Sequence, residues 1–143
     1  MVKKIILAML LMAASLMAAN LHWAKDYQSA IEQATKQNKP VLLIVSSTNC
    51  KYCLLLDKTT LHDQRVIKAL NSDFIAVRAW VNKGDYIPRD IAQNTPGLPG
   101  IWFLYPNGDP IYQPLLGYMK SDSFVNALGI VKEEFDKKKK RVQ

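Results

Sequence analysis

The chain contains only two cysteines, and both belong to the single motif Cys50-Lys51-Tyr52-Cys53. A disulfide across two intervening residues closes a very short loop and therefore removes little entropy from the unfolded chain. Small exported domains that depend on disulfides for stability carry several pairs. We therefore interpret Cys50 and Cys53 as a chemical group that forms and breaks a disulfide, rather than as a structural cross-link.

The N-terminus has the three-part pattern of a secretory signal peptide. Lys3 and Lys4 precede an apolar run over residues 5–19, and mixed polar sequence begins at Asn20. This run is shorter than the roughly 20 residues that span a bilayer. We predict a signal peptide over residues 1–19, with an uncleaved anchor as the alternative, and hence a periplasmic location.

Length and composition indicate one globular domain, because the 143 residues are 49% hydrophobic. We place a single domain at residues 20–136 and a basic tail at residues 137–143. The net charge of +7 becomes +5 without Lys3 and Lys4, and much of the remaining excess lies in the tail. An exported protein rarely meets nucleic acid, so we interpret the tail as solvated and expect no nucleic-acid partner.

The spacing of apolar residues predicts alternating helices and strands. The cysteines open a helix that follows a continuous apolar strand, which is typical of an α/β domain. The predicted elements are a helix from Trp23 to Gln37, a strand at 41–45, a helix from Cys50 to about Thr59, a helix at 63–71, a strand at 74–81, a helical turn near 87–93, a hairpin of strands at 101–105 and 111–116, and a last helix capped by Ser121.

A strand leading into CxxC, with Gly97-Leu98-Pro99 and the turn Pro106-Asn107-Gly108 behind it, resembles the thioredoxin superfamily. The chain looks closest to the periplasmic group that includes the C-terminal (gamma) domain of DsbD, from about Pro40 through the final helix. The resemblance implies a thioredoxin fold, with a central mixed β-sheet flanked by helices and CxxC at the N-terminus of a helix. It also implies a thiol:disulfide oxidoreductase.

Three positions depart from the usual pattern of this superfamily. Asn49 replaces a tryptophan before the first cysteine, Gly100 replaces a threonine or serine after the proline, and Ile44 replaces a buried aspartate. We expect these changes to alter the substrate groove and the redox potential more than the fold.

The motif suits thiol exchange, because a helix N-terminus stabilises a thiolate. Cys50 is therefore predicted to attack, and Cys53 to resolve the mixed disulfide. Lys51 would add a positive charge beside Cys50. Tyr52 would either pack on a partner or simply cover the helix.

Three further residues are candidates for the site. Asp57 lies four residues after Cys53, on the same helix face, and its carboxylate could accept the proton of Cys53; the resemblance supports this role, and an ordinary solvated aspartate is the alternative. Pro99 matches the cis-proline of the superfamily, with Pro96 as its competitor in the same loop. A cis bond would leave the backbone of Leu98 free to pair with an extended substrate.

Other chemistries fit the sequence poorly. His22 and His62 are too scattered to complete a metal site, and Leu54 follows Cys53 where haem attachment needs a histidine. We expect no metal and no cofactor beyond the redox-active Cys50/Cys53 disulfide.

The resulting hypothesis is an exported disulfide reductase that acts on thiol- or disulfide-containing exported proteins, is recharged by a membrane electron donor of the DsbD type, and is monomeric. A client such as apocytochrome c fits this reading. The alternatives are a disulfide oxidase or isomerase on the same fold, and a non-catalytic substrate-binding module that assists folding or assembly.

Overall fold

The computed structural model describes residue 2 and residues 18–143. The predicted signal peptide therefore lies almost entirely outside the described residues. The helices and strands are α1 (Tyr27–Gln37), β1 (Val41–Ser46), α2 (Lys51–Lys58), α3 (Gln64–Asp73), β2 (Ile75–Trp80), α4 (Arg89–Gln93), β3 (Gly100–Leu104), β4 (Leu115–Leu116) and α5 (Ser121–Val142), with 3₁₀ turns at Thr60–His62 and Val81–Lys83.

The four strands form one mixed sheet in the order β2-β1-β3-β4. β1 runs parallel to β2 and antiparallel to β3, with Ser46 opposite Trp80 and Val45 opposite Gly100. All six residues of β1 are buried, as expected for a central strand covered on both faces. The register brings the end of β1, the end of β2 and the start of β3 to one edge of the sheet.

Helices cover both faces of the sheet and give three layers. On one face, Leu42 and Ile44 of β1 pack with apolar residues of α2, α3 and α5. On the other face, Leu43 and Val45 pack with Ala30 and other residues around α1. The predicted fold class, a thioredoxin fold with a mixed sheet and the CxxC pair at a helix start, is confirmed.

The start of the first helix differs from the prediction. Asp26 is the N-cap of α1 and its carboxylate accepts the backbone N–H of Ser29 at 2.8 Å. Trp23 lies before the helix and forms a bridge with Ala76 of β2, and the N–H of Ala24 donates to the carbonyl of Ala76 at 2.8 Å. The helical spacing of Trp23 with the following residues was therefore misleading, because this segment extends the sheet.

The second strand of the hairpin is much shorter than predicted. Only Leu115 and Leu116 form a ladder with β3; before them, Pro110 makes one isolated bridge with Leu104, and the N–H of Ile111 donates to the carbonyl of Phe103 at 2.8 Å. Pro110 and Pro114 have no backbone N–H to donate to a ladder, which explains why the pairing over 111–116 is interrupted. The predicted turn at 106–109 is present, with the N–H of Tyr105 donating to the carbonyl of Asp109 at 2.8 Å.

The last helix differs from the prediction at both ends. Ser121 is its first helical residue rather than its cap, and Lys120 takes the N-cap position without a side-chain bond. At the other end the helix continues to Val142, so the basic residues predicted as a tail form its exposed last turns. An ion pair between Lys137 and Glu133 one turn earlier, at 2.8 Å, supports this extension.

Candidate active site around the CxxC pair

The two cysteines lie at the start of α2, just after the loop that follows β1. Cys50 is the N-cap of α2, with extended backbone at φ −99°, and its Sγ accepts the backbone N–H of Cys53 at 3.2 Å. The N–H of Cys50 in turn donates to the carbonyl of Ser47 at 3.3 Å. Cys50 thus takes the capping role that serine or aspartate usually fills, which aims the helix dipole at its sulfur.

The loop before Cys50 is held by a residue from another element. Asn82 follows β2, and its side-chain amide both accepts the N–H of Thr48 at 3.1 Å and donates to the Thr48 hydroxyl at 2.5 Å. This two-point contact fixes the approach of the chain to the motif. The sequence offered no signal for Asn82, because its partner is set by the pairing of β1 with β2.

The two thiols lie in different environments. Both are free cysteines, but Cys50 is half-buried whereas Cys53 is 3% exposed. Burial raises the pKa of the Cys53 thiol, and its contact with Cys50 raises it further. Hydrogen bonds from the Ser46 hydroxyl and the Ser47 backbone act in the opposite direction on that pKa. Cys50 is thus accessible to a partner protein, whereas Cys53 is shielded from solvent.

Ser46 is a site residue that the sequence pattern did not single out. It ends the apolar strand β1, is 3% exposed, and is one of the groups that lower the pKa of the Cys53 thiol. A buried hydroxyl needs a hydrogen-bond partner. The signal available in the sequence was a polar residue placed at the buried end of a strand directly before the motif.

The Leu98–Pro99 peptide bond is cis. Pro99 immediately precedes β3, whose first residue Gly100 lies opposite Val45 of β1, so the proline sits at the same sheet edge as the cysteines. Its carbonyl accepts the N–H of Gly117 at 2.9 Å. Pro99 is buried and Leu98 is half-buried beside it.

Lys51 and Tyr52 form the exposed first turn of α2, and 54% of Tyr52 is exposed. Both side chains therefore lie at the surface next to Cys50, where a partner would approach. Asn49, which stands before the motif, is exposed as well.

A close contact accounts for Gly100, one of the departures from the superfamily pattern. A Cβ at Gly100 would lie 2.3 Å from Cγ2 of Thr95. Thr95 is held in place because its hydroxyl donates to the carbonyl of Ile91 at 2.6 Å and accepts the indole N–H of Trp102 at 2.9 Å. The Thr95 methyl group therefore fills the space that a side chain at position 100 would need.

Asp57 lies on α2 one turn beyond Cys53, and its carboxylate pairs with Arg78 of β2. The backbone carbonyl of Asp57 contacts Nδ1 of His62 at 2.5 Å. The structure thus places the Asp57 carboxylate against a cation from the sheet, and its role toward Cys53 stays a prediction. Arg78 was missed; its signal was a lone charge within an otherwise apolar strand.

Two further observations concern the described residues alone. Between residues 18 and 143 there is no helix long and apolar enough to cross a membrane. In the same part of the chain, histidine, cysteine, aspartate and glutamate side chains do not come together in threes as a metal site.

Comparison with known proteins agrees with this geometry. The thioredoxin-like domain family matches residues 27–132. The chain belongs to the thioredoxin-like family. The thiol:disulfide interchange protein DsbD of Vibrio cholerae is 33% identical over 108 residues, which cover 72% of this chain and 18% of the relative. The chain thus spans less than a fifth of that relative.

Solved structures show the same fold. A thioredoxin from Thermus thermophilus superposes with a TM-score of 0.67 at 24% identity, covering 79% of this chain and 88% of that one. The oxidised C-terminal domain of Neisseria meningitidis DsbD gives a TM-score of 0.55 at 24% identity, covering 78% and 98%. The predicted resemblance to thioredoxins and to this DsbD domain is confirmed at the level of the fold.

Proposed function

We propose that this thioredoxin-like protein is a disulfide reductase that acts on exported proteins in the periplasm, through a mixed disulfide at Cys50. The observation that carries the proposal is the pairing of a half-buried Cys50 at the helix N-cap with a buried Cys53 behind it. An accessible attacking thiol and a shielded resolving thiol are the two parts that disulfide exchange requires.

The reaction begins with the reduced protein. The Cys50 thiolate attacks one sulfur of a client disulfide, so that the client S–S bond breaks and a Cys50–client S–S bond forms. The second client sulfur leaves as a thiolate and takes a proton from water. The helix N-terminus, whose free N–H groups surround Cys50, stabilises the attacking thiolate.

Resolution follows from Cys53. Its thiol gives up a proton, its sulfur attacks Sγ of Cys50, and the bond from Cys50 to the client breaks. The client has then gained two electrons, and the protein holds the Cys50/Cys53 disulfide. Ser46 assists by lowering the pKa of the Cys53 thiol, and Asp57 is the carboxylate proposed to accept the proton.

The client would lie across the edge of the sheet beside the motif. Leu98 and Pro99 directly precede β3, and the exposed Lys51 and Tyr52 follow Cys50 in the first turn of α2. An extended client segment would pair with the Leu98 backbone, as strand-addition complexes do. The similarity to DsbD supports a membrane dithiol of that type as the electron donor, with export supplied by the signal peptide over residues 1–19.

The test is to trap the covalent intermediate. A Cys53→Ser variant, incubated reduced with a peptide that contains one disulfide, is expected to accumulate a peptide adduct on Cys50. The matched Cys50→Ser variant should form no adduct, because Cys53 is shielded. Full biological activity of Cys50→Ser would contradict the proposal and favour a binding module without turnover.

A further inference from the structure

Arg78 is a largely buried cation that has no role in the thiol exchange steps proposed for Cys50 and Cys53. It lies on β2 opposite Ile44 of β1, and only 16% of its side chain is exposed. Its guanidinium lies over two rings, with Cζ 4.2 Å from the centre of Trp23 and 4.9 Å from the centre of Trp80. These cation–π contacts hold the guanidinium group in place.

The fixed guanidinium reaches the helix that carries the cysteines. Its Nη2 pairs with Oδ1 of Asp57, whose side chain is 36% exposed. Asp57 lies four residues after Cys53, so the two side chains are neighbours on one face of α2. The ion pair therefore connects β2 to α2, the helix that carries Cys53.

We propose that Arg78 is a positioning residue for the resolving step, because it holds the Asp57 carboxylate on the face of α2 that carries Cys53. This inference rests on the proposed function. Without Arg78, the partly exposed carboxylate would turn into water and leave Cys53 without its proton acceptor. The Asp57 side chain is itself 36% exposed, so a proton that it accepts can pass to solvent.

A purely structural role for Arg78 makes a different prediction. If the ion pair only anchored α2 to the sheet, its loss would lower stability and disturb Cys50 and Cys53 together. If Arg78 acts through Asp57, its loss changes resolution and leaves the first attack by Cys50 unaffected. Comparing the rates of adduct formation and of resolution therefore distinguishes a structural role of Arg78 from a positioning role.

The experiment measures both rates by rapid mixing of the reduced protein with a peptide that contains one disulfide, for the wild type, R78M, D57N and the double variant. We expect R78M to slow release of the peptide by about 3- to 10-fold, with the rate of adduct formation within about 2-fold of wild type. The double variant should match D57N, because Arg78 has no further effect once the carboxylate is gone. R78K should recover part of the rate.

The control variant is K83M. The Nζ of Lys83 also lies over the Trp80 ring, 5.2 Å from its centre. The Asp57 carboxylate, however, pairs with Arg78. K83M should resolve at the wild-type rate. If R78M does not fold, R78Q is used, because glutamine is uncharged but keeps a planar group. Its rates of adduct formation and resolution are then compared with those of the wild type.

Two results would overturn the inference alone. In one, the effects of R78M and D57N multiply in the double variant; in the other, R78M slows adduct formation and resolution equally. A wild-type protein that forms no peptide adduct would instead overturn the proposed function itself, so the two failures are distinguishable.

Discussion

Gly100→Ala should destabilise the protein through one identifiable contact. The added Cβ would lie 2.3 Å from Cγ2 of Thr95, about 1 Å short of the 3.4 Å at which ordinary contact begins. Thr95 cannot easily retreat, because its hydroxyl is bonded to both Ile91 and Trp102. Inserting a methyl group into a well-packed site costs about 1–3 kcal/mol, and we expect a loss of this size in the free energy of unfolding.

Thr95→Ser provides the matched rescue. Serine lacks the clashing methyl group but keeps the hydroxyl that bonds Ile91 and Trp102. The single variant should lose about 0.5–1.5 kcal/mol, as other deletions of one methyl group do, and the double variant should be more stable than the sum of the two losses by about 1 kcal/mol or more. Gly97→Ala is the control, since a Cβ at Gly97 meets no atom within 4 Å.

The assay is urea unfolding of the reduced proteins, followed by circular dichroism, with the slope compared between variants to establish that only stability has changed. Additive losses in the double variant would refute the reasoning, because they would show that the Thr95 methyl group is not what excludes a side chain at Gly100. A loss at Gly97 as large as that at Gly100 would refute it as well.

Three further predictions concern the cysteines and the start of α3. At neutral pH, iodoacetamide should alkylate Cys50 first while Cys53 stays protected by its burial and raised pKa, and equal labelling of both in the folded protein would contradict these roles. Ser46→Ala removes a hydroxyl that lowers the pKa of the Cys53 thiol, so that pKa should rise further and resolution should slow by about 10-fold, since hydrogen bonds to charged groups contribute about 1.5–3 kcal/mol; an unchanged pH profile of resolution would count against it. The hydrogen bonds of Asp63 with Arg65 hold the pKa of Asp63 below its ordinary value of 3.8, so their contribution to stability is present above that pH and is lost as the pH falls toward the lower folded pKa. Thermal unfolding from pH 5 downward should therefore show a smaller acid-induced loss for Asp63→Asn, and parallel curves would contradict this.

The centre of the fold was predictable because its signals are local. The apolar run that forms β1, the polar residues after it and the cysteines that open α2 follow one another directly in the chain. The same proximity made the division between Cys50 and Cys53 accessible to prediction, because the position of each thiol on the helix follows from its place in the motif. Helix geometry also predicts that Cys53 and Asp57 share a face of α2.

The features that the sequence did not reveal depend on contacts between distant segments. Arg78 meets Asp57 only because β1 and β2 pair in the register that sets Arg78 opposite Ile44. Likewise, Trp23 has helical spacing with its neighbours, but pairing with β2 determines its conformation. Local sequence patterns carry no information about such partners, so these interactions could be identified only from the pairing of the strands.

Cys50 and Cys53 should form a reversible disulfide, and their dithiol form should act as a reductant. The most direct measurement equilibrates residues 20–143 in glutathione buffers and follows the disulfide by the mass added when free thiols are trapped. We predict a midpoint potential near or below about −230 mV, in the range of glutaredoxins and thioredoxin. A potential near about −120 mV, that of the oxidant DsbA, would contradict the reductase, and the absence of any reversible disulfide would contradict redox catalysis altogether.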